Sequence, residues 1–75
     1  MKLIAHRGNI SGQNKEYENT FNYLMTAIGL GFDVEVDIWH VDNTFFLGHD
    51  GPNQQITHSQ LDEISEFAWF HAKND

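Results

Sequence analysis

The chain has 75 residues and no cysteine, with 11 Asp+Glu against 4 Lys+Arg and a net charge of −7. That length allows one small domain burying roughly 60% of the surface its unfolded form exposes, without disulfides or a thiolate zinc site. The acidic balance argues against a general nucleic-acid surface, which needs clustered Lys and Arg; the start is too short in apolar residues for a signal peptide, and no run approaches the ~20 apolar residues of a membrane span, so a soluble cytoplasmic chain with no nucleic-acid partner is expected.

Residues Lys2 to Ala5 read as a buried first strand, and Gly8 to Tyr17, rich in Gly, Asn and Ser, as a loop. A helix follows: Asn19 or Thr20 can cap it, and Phe21, Leu24, Met25 and Ile28 recur at i, i+3, i+4 and i+7. Gly29 and Gly31 are its stop signals. "FDVEVDIW", residues 32 to 39, alternates strictly, so Val34, Val36 and Ile38 share one strand face while Asp33, Glu35 and Asp37 share the other. Asp42-Asn43 predicts a turn, and "TFFLGHD" a short returning strand that ends at Gly48. A second helix opens at Thr57, where Thr57 and Gln60 fit a capping box and Ile56 and Leu61 the accompanying staple. Leu61, Ile64 and Phe67 or Ala68 form its apolar stripe. "AWFHAK", residues 68 to 73, predicts a third main strand. Strands alternating with helices imply a parallel sheet with helices packed on it.

Chemistry enters through spacing. Glu35 and Asp37, two apart on a strand, lie on one face with Cα atoms ~6.6–6.8 Å apart. Carboxylates that close repel unless a positive charge lies between them, and a divalent ion with oxygen ligands is one such charge; the plain alternative is a solvated sheet face. His49-Asp50 follows the hairpin strand and precedes the tight turn Gly51-Pro52, a placement that suits proton transfer near neutral pH. His40 and His58 have no partner implied by spacing and read as surface residues. His6-Arg7 stands at the carboxyl end of the first strand, where parallel sheets build their sites. Two histidines, two carboxylates and a planar cation suit cleavage of a phosphate ester, one histidine taking a proton as the other gives one.

"HRG" after the first strand, "ENT" opening the first helix, "VEVDIW" on the second strand and "GHD" after a hairpin together resemble the N-terminal signature of the glycerophosphodiester phosphodiesterases. That resemblance implies a (β/α)8 TIM barrel akin to the phosphatidylinositol-specific phospholipases C. It also implies hydrolysis of a small glycerophosphodiester to an alcohol and glycerol 3-phosphate, assisted by Mg²⁺ or Ca²⁺. By motif, His6 and His49 would be the acid/base pair, Arg7 would bind the phosphate, and Glu35 and Asp37 would be metal ligands. Glu18 would line the site and orient Arg7, or simply favour the helix N-terminus.

The third strand departs from the family's E-x-K pair. Here it reads "HAK": His71 stands at the acidic ligand's position and Lys73 is kept beside the phosphate, both on one strand face. A histidine ligand shifts the expected metal towards Mn²⁺ or Zn²⁺. The connection after His49 lacks room for the small inserted domain many members carry. Because a (β/α)8 barrel takes ~250 residues, the chain is expected to be the N-terminal part of one barrel domain: three main parallel strands, a short hairpin strand and two helices. The open edge of the third strand, with Trp69 and Phe70 half covered, would then need further barrel residues or self-association to cover it. Two other readings stay open, a phospholipase D-like member of the same superfamily and a non-catalytic remnant or interaction piece.

Overall fold

Alternation and hydrogen-bond chemistry account for most of the elements. The structure, a computed structural model, describes residues 3–74; the expected strand start at Lys2 lies outside them. The order is β1 (Ile4–His6), α1 (Phe21–Gly29), β2 (Asp33–Val41), β3 (Thr44–Leu47), β4 (Gln54–Ile56), α2 (His58–Ser65) and β5 (Ala68–Ala72). Strand β2 is the axis of the sheet. Its alternation sends Val34 and Val36 into the core, where they meet Ala5, Leu24, Ala27, Leu47, Ile56 and Ile64, all at most 2% exposed. Helix α1 packs against β2 and α2, and α2 against β5.

Helix α2 has both bonds of its capping box: Gln60 N donates to Thr57 Oγ1 at 3.1 Å, and Thr57 N to Gln60 Oε1 at 3.0 Å. Helix α1 starts differently. Thr20 occupies the cap position without a side-chain cap, its hydroxyl donating to Tyr17 O instead. The Phe21 N–H is met from across the fold by Gln54 Oε1 at 2.7 Å.

The sheet is not a piece of a parallel (β/α)8 barrel, and the expectation of that fold is overturned. It is a mixed sheet of five strands. β1 and β5 run parallel to β2 on opposite edges. β3, however, folds back antiparallel on β2, and β4 adds antiparallel to β3. The reason is local. Asp42 and Asn43 both take positive φ, 51° and 62°, the pair of conformations that makes a two-residue type I′ hairpin. The returning chain therefore pairs with the strand it has just left. β4, "QQI", is too short and too polar to show a period of two, so it reads as loop from sequence.

Beyond β3 the chain turns sharply at Gly48. Trp39 Nε1 donates to its carbonyl at 2.7 Å, and its own N–H donates to Asp37 O at 3.2 Å. A Cβ at Gly48 would run into the Gly51 carbonyl oxygen, a backbone atom that cannot swing aside. Gly48→Ala is therefore expected to lower stability by about 1–3 kcal/mol or more, read as a drop in the urea midpoint; an unchanged midpoint would mean that the 48–51 turn is not closed as described.

Candidate active site

The site grows from a gap in the sheet. β1 pairs with β2 through His6↔Glu35, and β3 takes up the same edge of β2 from Ile38↔Leu47 onward. Asp37 lies between the two partners. The chain leaving β1 brings Arg7 to one side of the gap, and the chain leaving β3 brings His49 to the other. Arg7 adopts φ 55°, the left-handed region that costs a non-glycine residue about 1–2 kcal/mol. That turn ends the strand directly after His6, so two neighbouring side chains that would point apart on a strand serve one cleft.

Among the described residues, four side chains surround the Asp37 carboxylate, which is 2% exposed as a residue. Oδ2 lies 2.9 Å from Arg7 Nε, 3.0 Å from Asn19 Nδ2 and 3.3 Å from His49 Nδ1; Oδ1 lies 3.2 Å from His71 Nδ1. The Arg7 Nε contact is an ion pair without hydrogen-bond alignment, because that N–H points off the line to the oxygen and is a buried donor with no bond of its own. The rest of the guanidinium is engaged: Nη1 donates to Glu18 Oε1 at 3.2 Å, and Nη2 meets His49 Nε2 at 3.2 Å. Glu18 is held in turn by Asn9 Nδ2 at 2.9 Å. Glu18 thus contacts Arg7 directly from the turn before α1.

These contacts assign the His49 tautomer. A guanidinium nitrogen only donates, so Nε2 must accept, and the ring proton sits on Nδ1 and is donated to Asp37. An ion pair of Nε2 with the exposed Asp50, 3.8 Å away, would need a proton on the same nitrogen; the shorter Arg7 contact prevails.

Burial is the largest influence on Asp37 and pushes its carboxyl up. The hydrogen bond from Asn19, the Arg7 charge, the His49 hydrogen bond and the Lys73 charge act the other way and hold it below its ordinary value of 3.8. A carboxyl depressed in the folded state stabilises the fold fully above its unfolded value and loses that contribution as pH falls through the folded one. The chain's stability is therefore expected to fall from about pH 4 downward, and Asp37→Asn to flatten that limb. Urea midpoints measured across this range check it; equal slopes in both proteins would contradict it.

The other predicted residues fall around this centre. His6 Nε2 lies 3.0 Å from Glu35 Oε1, its register partner across β1 and β2. His71 faces Asp37 as its register partner across β2 and β5. Lys73 follows β5, its N–H donating to Ile38 O at 2.9 Å. His6, Arg7, Glu18 and His49 line one cleft of about 890 Å³, together with Lys15 and Asn53. That volume suits a small organic ligand. His40 and His58 are exposed, as expected of surface residues; His40 stacks on Phe45 and His58 meets the same ring edge-on.

Sequence reasoning missed Asn19 as a site residue and treated it as a helix cap. It is 2% exposed with φ 58°. The available signal was an Asn beside Glu18 before a helix that Thr20 could already cap, since Asn tolerates the left-handed region. Asn9 and Trp39 were also missed as supports.

As the side chains stand, no three His, Asp or Glu residues among those described gather into a metal-holding group. The donor chemistry of Glu35, Asp37 and His71 does suit a divalent cation: two carboxylates two apart on one strand face, with an imidazole opposite the second. Such an ion would take over contacts now made by His6 with Glu35 and by His71 with Asp37.

In comparisons with known proteins, no family model, no curated protein and no solved structure matches the chain. Among the described residues no helix is long and apolar enough to cross a membrane.

Proposed function

We propose that the cleft hydrolyses a phosphodiester, and that its substrate is a small glycerophosphodiester cleaved to an alcohol and glycerol 3-phosphate. The choice of substrate rests on the resemblance of "HRG", "ENT", "VEVDIW" and "GHD" to the glycerophosphodiester phosphodiesterases. One observation carries the chemistry: His49 is held by Asp37 at Nδ1 while Nε2, its basic nitrogen, abuts the Arg7 guanidinium.

The substrate phosphate takes the Arg7 Nη2 donor that His49 now holds. That exchange frees Nε2 beside the phosphorus. His49 then removes a proton from the attacking water as its oxygen bonds to phosphorus, and Asp37 supports the imidazolium that forms. The phosphorus–oxygen bond to the alcohol breaks, and His6 gives its proton to the departing oxygen. Glu35 orients the His6 ring when no ion takes that carboxylate, Glu18 holds Arg7 in place, and Lys73 adds positive charge near the phosphate. A divalent cation held by Glu35 and Asp37, with His71 as third ligand, would add charge that polarises a phosphate oxygen.

The test is hydrolysis of glycerophosphocholine by the chain with Mg²⁺, Ca²⁺ or Mn²⁺ present. Release of glycerol 3-phosphate, abolished in His49→Ala, is the expected result; no turnover under any of these conditions counts against the proposal. The ion is tested separately by calorimetric titration without substrate. Glu35→Ala is expected to weaken Mg²⁺ or Mn²⁺ binding by ~10-fold or more, and equal binding to the variant would remove Glu35 from the ligand set.

A further inference from the structure

We infer that Asn19 is a positioning residue: by clamping Asp37 at two points, its carboxamide holds the acceptor that, together with the Arg7 donor facing Nε2, keeps the ring proton of His49 on Nδ1. Its catalytic consequence rests on the hydrolytic reading above; the tautomer claim does not.

Asn19 fills the gap in the sheet. On this edge of β2, Arg7 N donates to Glu35 O at 2.7 Å where β1 ends, and Gly48 N donates to Asp37 O at 3.2 Å where β3 ends. Between them the Asp37 N–H has no strand to pair with. Asn19 Oδ1 accepts it at 3.0 Å, and Asn19 Nδ2 donates to Asp37 Oδ2 at 3.0 Å. The residue's own N–H donates to Arg7 O at 3.0 Å. One side chain thus replaces a missing strand partner and locks a carboxylate, while its backbone ties the arginine turn to both.

The lock matters because the last torsion of an aspartate is soft. With Oδ2 pinned by Asn19, the carboxylate presents that same oxygen to His49 Nδ1. Without the pin Oδ2 keeps only the unaligned Arg7 Nε contact beside His49, with His71 on the other oxygen, so the carboxylate can turn and weaken the acceptor that keeps the His49 proton on Nδ1. A proton on Nε2 would leave that nitrogen unable to act as a base and would set it against the Arg7 donor.

Two variants separate positioning from folding. Asn19→Gly keeps the positive φ and removes the carboxamide. Asn19→Asp keeps both shape and φ preference but puts an oxygen where the donor was. The readout is the pair of ¹⁵N ring shifts of His49 in mildly alkaline buffer without substrate, with the backbone amide spectrum reporting folding. The unaltered chain is expected to carry its proton on Nδ1, and each folded variant to move to a majority of the Nε2–H form. If activity is present, kcat should fall ~10–100-fold with KM unchanged, the pattern of an interaction made only in the transition state. An unaltered chain with Nε2 protonated, or a folded variant of either kind that keeps Nδ1–H, overturns the inference. If neither variant folds, Asn19 is a structural residue and the inference fails too. Absence of hydrolysis in the unaltered chain would sink the proposed function and leave the tautomer result standing.

Discussion

His49→Ala is expected to lower turnover by ~10²–10⁴-fold, the range for loss of a positioned acid/base group, while moving the unfolding midpoint little. The two halves have separate causes. The His49 side chain is 41% exposed, so its removal opens no core cavity. The turn that carries it is held by groups other than the imidazole, namely the Trp39 bond to Gly48 O and the Gly48 bond to Asp37 O. What the substitution removes is the unprotonated ring nitrogen that accepts from Arg7 until a phosphate takes that donor. His6→Ala should cost a similar factor from the other side of the phosphate. The double variant should lose far less than the product of the two, because a proton removed on one side is useful only when one is delivered on the other. Steady-state kinetics on the four proteins decide this. A His49→Ala chain that retains turnover within a few-fold would remove the imidazole from the chemistry.

Arg7→Met has the other large expected effect, and it falls on stability first. The guanidinium lies 3.2 Å from Glu18 and 2.9 Å from Asp37, whose side chains are only 8% and 3% exposed. Methionine retains part of the apolar stem and removes the charge. Two nearly buried carboxylates are then left without their cation, a loss of about 3–5 kcal/mol when one partner of a buried pair goes. Against the roughly 5–15 kcal/mol total of a typical domain, that is enough to populate the unfolded state. The sign with pH follows from Asp37, whose carboxyl the Arg7 charge helps hold below its ordinary value of 3.8: the penalty needs that group ionised, so the gap between variant and unaltered chain should narrow as pH falls below about 4. Arg7→Lys should recover part of the stability through its charge but not phosphate affinity, because an ammonium lacks the planar fork that engages Glu18 and a phosphate together. Denaturation curves at neutral and acidic pH provide the measurement. A variant within about 1 kcal/mol of the unaltered chain at neutral pH would mean that the pair contributes no more than an exposed one.

Features set by near neighbours were readable from sequence. The alternation of "VEVDI" sorted Val34 and Val36 to the core and Glu35 and Asp37 to the other face, because side-chain direction on a strand has a period of two. The capping box of α2 involves two residues three apart, so its hydrogen bonds are a local matter. Asp42-Asn43 marked a turn because both residues tolerate positive φ. Residue chemistry likewise singled out His6, Arg7, Glu35, Asp37 and His49, each on a strand or just beyond one. Tertiary structure alone decided what these groups meet. The local hairpin makes the sheet mixed, but that β1 takes the same edge of β2 as β3 and stops short of it, which leaves a gap at Asp37, follows from pairing between distant segments. The Arg7–Glu18 pair, the Asn19 clamp on Asp37, the His71–Asp37 contact and the pairing of the polar β4 have the same origin. Periodicity records which face of an element is buried; it carries no record of which distant partner will satisfy an open edge.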